Sequence, residues 1–430
     1  MNNKIKLAVA GSVLALSAGA NAGIIIPAGE WTLDVNGNVN AFMTRTEVDK
    51  NDSVTGSAIG LNEDGNGEDT NIGMTTGLLP AWLGFTGTTR QNDLDVSFTI
   101  SFQPAVSDNS YHGDGSNGIL GGATNATQLN RQTFITFGDK SWGTVKIGKD
   151  LGIYASDAIL NDMTLLGVGA GGPAAGTSQN TTFGGIGTGY QYAAWKGQIS
   201  YTTPNMNGFE ATIGLMHPGM FGEQATASVD GTENTISRTI VNQDRMGYEA
   251  KASYSWTGDV AGKVWVSGAS YDVTGANSNA GANGDDVTIS AYDIGATVTS
   301  GNLSVTGYYY DGKGNGITAL GLSGLDVQSS NTKFKRRDGD GGYVQATYVI
   351  PTGTKLGASY GVSNLDKASG ESDSDAGTLV EKQDRWTIGA YHPLTKHLNL
   401  VAEYSEVELE AHNGNDNEYD QFSVGAILFF

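Results

Sequence analysis

The residue types that carry most enzyme chemistry are sparse in this chain. Its 430 residues include five histidines, His112, His217, His392, His397 and His412, and no cysteine. No G-x-S-x-G or H-E-x-x-H motif accompanies them. The histidines scatter over loops and turns at both ends of the expected strands, so they do not converge on one metal or one serine. The absence of thiols also rules out a disulfide framework and thiolate metal sites. Two stretches fit the phosphate-binding pattern G-x-G-x-x-G: Gly113-x-Gly115-x-x-Gly118 and Gly167-x-Gly169-x-x-Gly172. With 63 glycines in the chain, about one such match arises by chance, and neither follows a βαβ pattern. Glu63 to Asp69 and Asp338-Gly339-Asp340 offer hard oxygen ligands but lack EF-hand spacing, so both read as solvated loop charge. On these grounds neither catalysis nor a cofactor nor a metal is expected.

The elements point instead to a sheet. Phe422, Val424, Ala426, Leu428 and Phe430 alternate with Gln421, Ser423 and Gly425. This is a period-2 strand that runs to an aromatic carboxy terminus. A water-exposed end frays, whereas a lipid-facing strand that pairs with the first strand does not. Gly425, Leu428 and Phe430 fall where outer-membrane β-barrels carry their insertion signal. Residues 1–22, with Lys4, Lys6, an apolar stretch and Ala20-Asn21-Ala22, read as a secretory signal peptide. The barrel would then occupy residues 23–430. No other apolar run approaches the ~20 residues of a membrane helix. Without residues 1–22 the chain carries 22 basic and 45 acidic residues, a formal net charge of about −23. That balance argues against nucleic acid as a partner.

Alternation recurs over Leu33–Met43, Leu94–Gln103, Arg245–Trp256, Lys355–Val362 and Leu398–Ser405. Seven short turns are expected near Thr89–Asn92, Asp139–Trp142, Pro204–Gly208, Thr257–Gly262, Ser300–Asn302, Pro351–Gly353 and Leu394–His397. Long polar loops separate these pairs, near 44–79, 104–130, 150–189, 218–244, 274–286, 311–340, 364–382 and 411–418. Seven turns and eight loops imply about 16 strands, with short turns on one side and long loops on the other. A β-sandwich is the competing architecture; the turn asymmetry and both chain ends favour an all-β transmembrane barrel. The apolar parity slips near Tyr292-Asp293, which suggests a β-bulge there.

Three motifs carry a family resemblance. Arg131 to Lys149 (RQTFITFGDKSWGTVKIGK) is similar to paired porin strands that lead into a constriction loop. Ile199 to Phe209 and Gly389 to Leu398 resemble porin turns. Over nearly its whole length the chain resembles Gram-negative general porins of the 16-stranded, trimeric type. The resemblance implies a water-filled diffusion channel for small hydrophilic solutes and ions, placed in the bacterial outer membrane among its lipids and lipopolysaccharide. It implies a homotrimer and a third loop, 150–189, folded into the lumen. The matching constriction residues are Asp157 and Asp162 on the loop, against Arg131, Lys146 and Lys149 near the wall. Lys146 has lumen-facing parity; Lys149 has lipid-facing parity and stands where the family usually has Arg, which matters because the two cations differ in geometry. A pore also predicts a charged lumen wall, here Asp95, Arg245, Glu249, Lys251 and Lys355. Acids concentrated in loops one, seven and eight suggest a modest cation preference. A substrate-selective porin and a structural or adhesive barrel are the alternative readings.

Overall fold

The computed structural model describes residues 23–61, 67–104, 106, 129–171, 181–217, 238–242, 245–277, 285–321, 323–327, 334–372 and 376–430. The expected signal peptide, His112, the motif at Gly113–Gly118, and the acids Glu63, Asp64, Asp373 and Asp375 lie outside them. Among the described residues there are 21 strands. Those that matter first are β1 (Ile24–Ala28), β2 (Trp31–Asn51), β3 (Thr70–Thr75), β4 (Trp82–Gln91), β5 (Leu94–Gln103), β6 (Leu129–Asp139), β7 (Gly143–Leu151), β8 (Trp195–Thr202) and β9 (Phe209–Met216). The chain continues through β10 (Arg238–Asn242), β11 (Gly247–Trp256), β12 (Val260–Asn277), β13 (Asp285–Ser300), β14 (Leu303–Lys313), β15 (Leu325–Val327) and β16 (Phe334–Arg336). The last are β17 (Asp338–Val349), β18 (Lys355–Leu365), β19 (Val380–Pro393), β20 (Leu398–Ala411) and β21 (Asp416–Phe429).

Sixteen of these strands pair antiparallel, each with the next, into a closed ring. The ring shuts through β2, which pairs with β4 along one edge and with β21 along the other. β1 and β3 extend the two edges of the same long strand. β10 augments β12, and β15–β16 form a small hairpin in the loop after β14. All seven short turns fall where the sequence puts them, and the eight remaining connections of the ring are on the opposite side. One two-residue turn encloses Asn92 and Asp93 at φ 48 and 62, the left-handed pair that such a hairpin needs.

Outward rows are apolar: Val39, Met43, Ile100, Ile135, Ile199, Ile213, Val266, Ile294, Val305, Leu356, Ile388, Leu400, Val424 and Leu428 are all exposed. A soluble sandwich would bury such rows; a barrel offers them to hydrocarbon. The buried apolar core lies inside the ring, among Phe42, Leu78, Leu79, Ile159, Leu165, Val168, Ile186, Tyr190, Val407 and Leu409. This arrangement corrects the bulge expected at Tyr292-Asp293. Both residues keep unbroken register with β12 and β14. The apolar residues change face because Val287, Ile289 and Ala291 point inward onto an internal cluster, while Tyr292 and Ile294 point outward. A real irregularity sits between β5 and β6, where Ser101 pairs with Gln132 and Phe102 with Asn130, leaving Arg131 as the extra residue.

The carboxy terminus is tied at the seam. The Phe430 N–H donates to the Gly37 carbonyl at 3.1 Å, and the Gly37 N–H donates back at 2.8 Å. Leu428 lies in the outward row, whereas Gly425 points inward, where a Cβ would collide with Ala41 and Phe42. Deleting Phe430 should remove both bonds, on the order of 1 kcal/mol each, and lower the fraction of heat-modifiable, folded protein recovered in membranes. An unchanged folded fraction would count against a role for the terminal residue in closure.

Candidate functional site

The third loop, 152–194, leaves β7 and returns to β8 inside the barrel. Its two ends are joined by the Gly152 N–H donating to the Ala194 carbonyl at 2.8 Å. Within it a short helix, α1 (Ser156–Asn161), passes into a 3-10 turn at Met163–Leu166. Asp162 links the two. One of its oxygens accepts the Thr164 N–H at 2.9 Å; the other accepts the Gly185 N–H at 3.0 Å and the Tyr190 hydroxyl at 2.7 Å. Burial, and next the Asp162 carboxylate, push the Tyr190 phenol well above its usual range, so it stays a donor.

Wall residues hold the loop at many points along its described residues. The Glu249 carboxylate accepts the N–H groups of Ile153 and Tyr154 at 2.6 and 2.9 Å, together with Lys196 and the Tyr271 hydroxyl. Asp293 accepts Ala155 N–H at 3.1 Å. Asp157 pairs with Lys251 at 2.8 Å and with Lys263. Thr297, Gln345 and Tyr343 donate to Asn161, Asn161 and Ala158. Further on, Glu403 accepts Val168 N–H and Gly169 N–H, Arg385 donates to Thr188, and Ser363 accepts Gly189 N–H. The loop's bonds therefore reach β11 to β13 and β17 to β21. The inward row of β4 to β8 bonds mainly within itself: Thr86 with Thr99, Ser97 with Thr136, Ser101 with Gln132, Gln132 with Asp150, and Ser200 with Gln198. Beneath it, at the short-turn end, lies a polar cavity of about 1040 Å³ lined by Arg90, Asp95, Thr136, Asp139 and Thr144.

The sequence-derived site residues separate on this frame. Asp157 and Asp162 are both buried and face the wall lysines and the loop itself, rather than Arg131, Lys146 and Lys149. Arg131, the bulge residue, is buried between the rings of Trp82 (4.9 Å) and Trp195 (4.3 Å), and its Nη1 has no hydrogen-bond partner. Lys146 points inward and pairs with Asp150. Lys149 keeps its outward parity and donates to the Asn130 carbonyl at 2.9 Å, outside the lumen-facing row. Among the wall charges, Lys251 meets Asp157, and Lys355 points inward with its Nζ 4.6 Å from the Tyr391 ring centroid. Asp95 pairs with Arg90 at the short-turn mouth; Arg245 lies 3.4 Å from Asp272 and Asp286 at the other. Glu249, expected as an open lumen charge, is 1% exposed and spent on the loop. Lys196, Lys263, Asp293, Arg385 and Glu403 were not singled out by sequence. Their signal was present as charged residues on inward rows, yet nothing local told which ones a distant loop would cover.

A closed 16-stranded antiparallel barrel with an inward-folded third loop defines a transmembrane channel of the outer-membrane type. The family model for the Gram-negative porin matches residues 8–412, so the chain belongs to that family. No curated protein matches it. Solved structures of similar fold include the outer membrane channel DcaP of Acinetobacter baumannii, with TM-score 0.64, 16% identity, and 95% of this chain and 100% of that one covered. Another is Salmonella typhi OmpF in complex with daunomycin, with TM-score 0.56, 15% identity, and 95% and 100% covered. A third is the trimer form of the Vibrio cholerae outer membrane protein OmpT, with TM-score 0.51, 15% identity, and 93% and 99% covered. The protein is a bacterial outer-membrane channel for passive diffusion of small solutes.

Asp157 gives the loop a pH dependence. Burial pushes its pKa up, but Lys251 and Lys263 outweigh burial and hold it below the usual carboxylate range. A folded pKa below the unfolded value stabilises above the unfolded value, and that stabilisation is lost as pH falls through the folded one. Asp157→Asn should therefore lower the thermal midpoint at neutral pH, by an amount corresponding to about 3–5 kcal/mol. The gap from wild type should shrink once pH drops below ~4. A gap that stays constant with pH would remove the carboxylate from the account.

Proposed function

We propose that the chain is a water-filled channel, without catalysis or cofactor, whose third loop narrows the passage to a strip beside β4 to β8. One observation carries this reading: the loop is bonded to the opposite wall, strands β11 to β13 and β17 to β21. Small hydrophilic solutes and ions would pass along the hydroxyl and amide rows of β4 to β8. Lys251 and Lys263 stay partly exposed where Asp157 ties the loop to the opposite wall, and Lys146 and Lys355 are further inward-pointing cations. Lipid and lipopolysaccharide are the expected surroundings of the outward rows. A homotrimer is the proposed assembly, supported by the family and by the trimer form of OmpT.

For ions we propose a weak cation preference. Asp49, Asp52, Glu68, Asp69, Asp416 and Glu418 at the long-loop end support it. Their field acts over a screening length of about 8 Å at physiological salt. Lys50, paired with Asp416 and Glu418, weakens it, and so do Arg131 and Lys355 nearer the ion path. The offset of the passage favours a second reading, a channel selective for one solute class. Planar-bilayer recording in a KCl gradient tests the first. Wild type should show a reversal potential of cation-selective sign. Asp157→Asn should shift it toward chloride, because two lysines then lack their carboxylate, whereas Asp162→Asn should leave it nearly unchanged. A chloride preference in wild type would reject the mouth as the selectivity element. No conductance at all from folded protein would reject the open channel.

A further inference from the structure

Asp34 stands near the start of β2, on the face that carries Asn38 and Asn40, and its Oδ1 is buried without a hydrogen-bond partner among the described residues. An orphaned carboxylate oxygen calls for an explanation. Its cross-strand neighbours, Thr86 of β4 and Ile25 of β1, bring no charge. What lies against it is the backbone of Gly23. A Cβ built on Gly23 would collide with Asp34 Oδ1, so a bare Cα is what lets the carboxylate come this close. Gly23 is also the residue that follows Ala20-Asn21-Ala22, where small residues mark the end of the expected signal peptide. The strand that Gly23 leads into is weakly held. β1 pairs with β2 alone among the described residues, and all five of its residues are exposed. It lies end to end with β21 along one edge of β2: Phe430 bonds Gly37, Ile24 pairs with Val35, and Asn36 is the single position between them. Phe430 thus occupies the place that a longer β1 would take, and any peptide preceding Gly23 must leave the sheet there.

We infer that Asp34 is the receiving site for the amino terminus that processing creates at Gly23. A signal peptidase adds water across the Ala22–Gly23 amide. The C–N bond breaks, Ala22 departs as a carboxylate, and Gly23 keeps the nitrogen as an ammonium. The new group carries three donors and a positive charge where the peptide had one neutral N–H. Asp34 offers it an acceptor that nothing else uses, and the resulting charge-assisted bond ties the first residue of the mature chain to β2. The Phe430 carboxylate, further along the same edge, is the other anion at hand; β4 adds no charge, since Gly84 and Thr86 stand opposite Asn36 and Asp34. In the uncut chain the same carboxylate has no donor, so cutting the leader and fastening β1 are one event. The inference rests on the reading of residues 1–22 as a signal peptide.

The test uses folded protein purified from outer membranes after expression of the whole precursor. Intact mass identifies the first residue, and reductive methylation followed over pH, with the label located by peptide mass, reads the α-amino group. Wild type should begin at Gly23. Its amino group should titrate with a midpoint near pH ~9, against about 8 for a free terminus, and so label about tenfold more slowly near neutral pH. Asp34→Asn should return the midpoint to about 8. A different first residue would overturn the cleavage reading, and the pairing with it. A chain that begins at Gly23 but titrates alike in wild type and Asp34→Asn would overturn the pairing alone. Slow labelling with an unshifted midpoint would mean shielding without a charge partner, and also overturns it. If Asp34→Asn does not fold, an alanine inserted after Ala22 moves the ammonium one residue away from an intact Asp34. A midpoint back near 8 then supports the pairing, and one that stays raised overturns it.

Discussion

Hydrocarbon offers no partner to a backbone amide or carbonyl, and an unpaired one costs several kcal/mol. Everything else in this molecule follows from meeting that constraint with strands. A sheet meets it only by having no edge, so the first long strand must find the last. β2 does more than close the ring. Over its 21 residues it carries neighbours on both edges, with β1 and β21 along one side and β4 and β3 along the other. Closure then fixes a lumen too wide for wall side chains alone to fill, and the third loop occupies part of the space that remains.

Filling that space brings back, inside the barrel, the problem that closure solved outside. A loop without regular structure exposes its amides, and the lumen wall answers with carboxylates. Glu249 takes the amides at the loop's start, Asp293 the next one, and Glu403 those of the far turn. Such a bond to a charged acceptor is worth about 1.5–3 kcal/mol, more than a neutral one. Acidic wall residues here act mainly as structural acceptors. Glu249 also meets Lys196, and on the loop itself Asp157 is the carboxylate on which two wall lysines converge.

The strands and turns were legible because a two-residue period and a Gly, Asn or Asp turn are local signals. Asn92-Asp93 and Gly301 mark their turns within a few residues. Leu94 to Gln103 shows its outward face by simple alternation. Parity, however, reports only the side of the sheet. It does not report height along the barrel or what lies across the lumen. Val287 and Ile289 face inward because loop residues such as Ile153 and Leu320 share their cluster, and a strict apolar-outward rule reads that change as a bulge. Asp157 finds Lys263 some 106 positions away, and Val168 finds Glu403 some 235 positions away. Sequence could name Asp157 as a site residue, but its partner depended on which strand closure would bring opposite.

The seam between β2 and β21 has a consequence for how the barrel is made. Its partners are far apart along the chain: Thr46 and Gln421 are separated by 375 positions. Loop-closure entropy grows only slowly with length, yet contacts this remote still form after the local hairpins, since each hairpin in between shortens the effective loop. Until they form, the molecule is a curved sheet with two long, sticky borders, and those borders are the first and last strands of the ring. Of the ring's sixteen strands, β21 is thus the one made last, and its partner β2 has waited longest. Assembly is a race between that strand and any other chain able to add to the open border of β2.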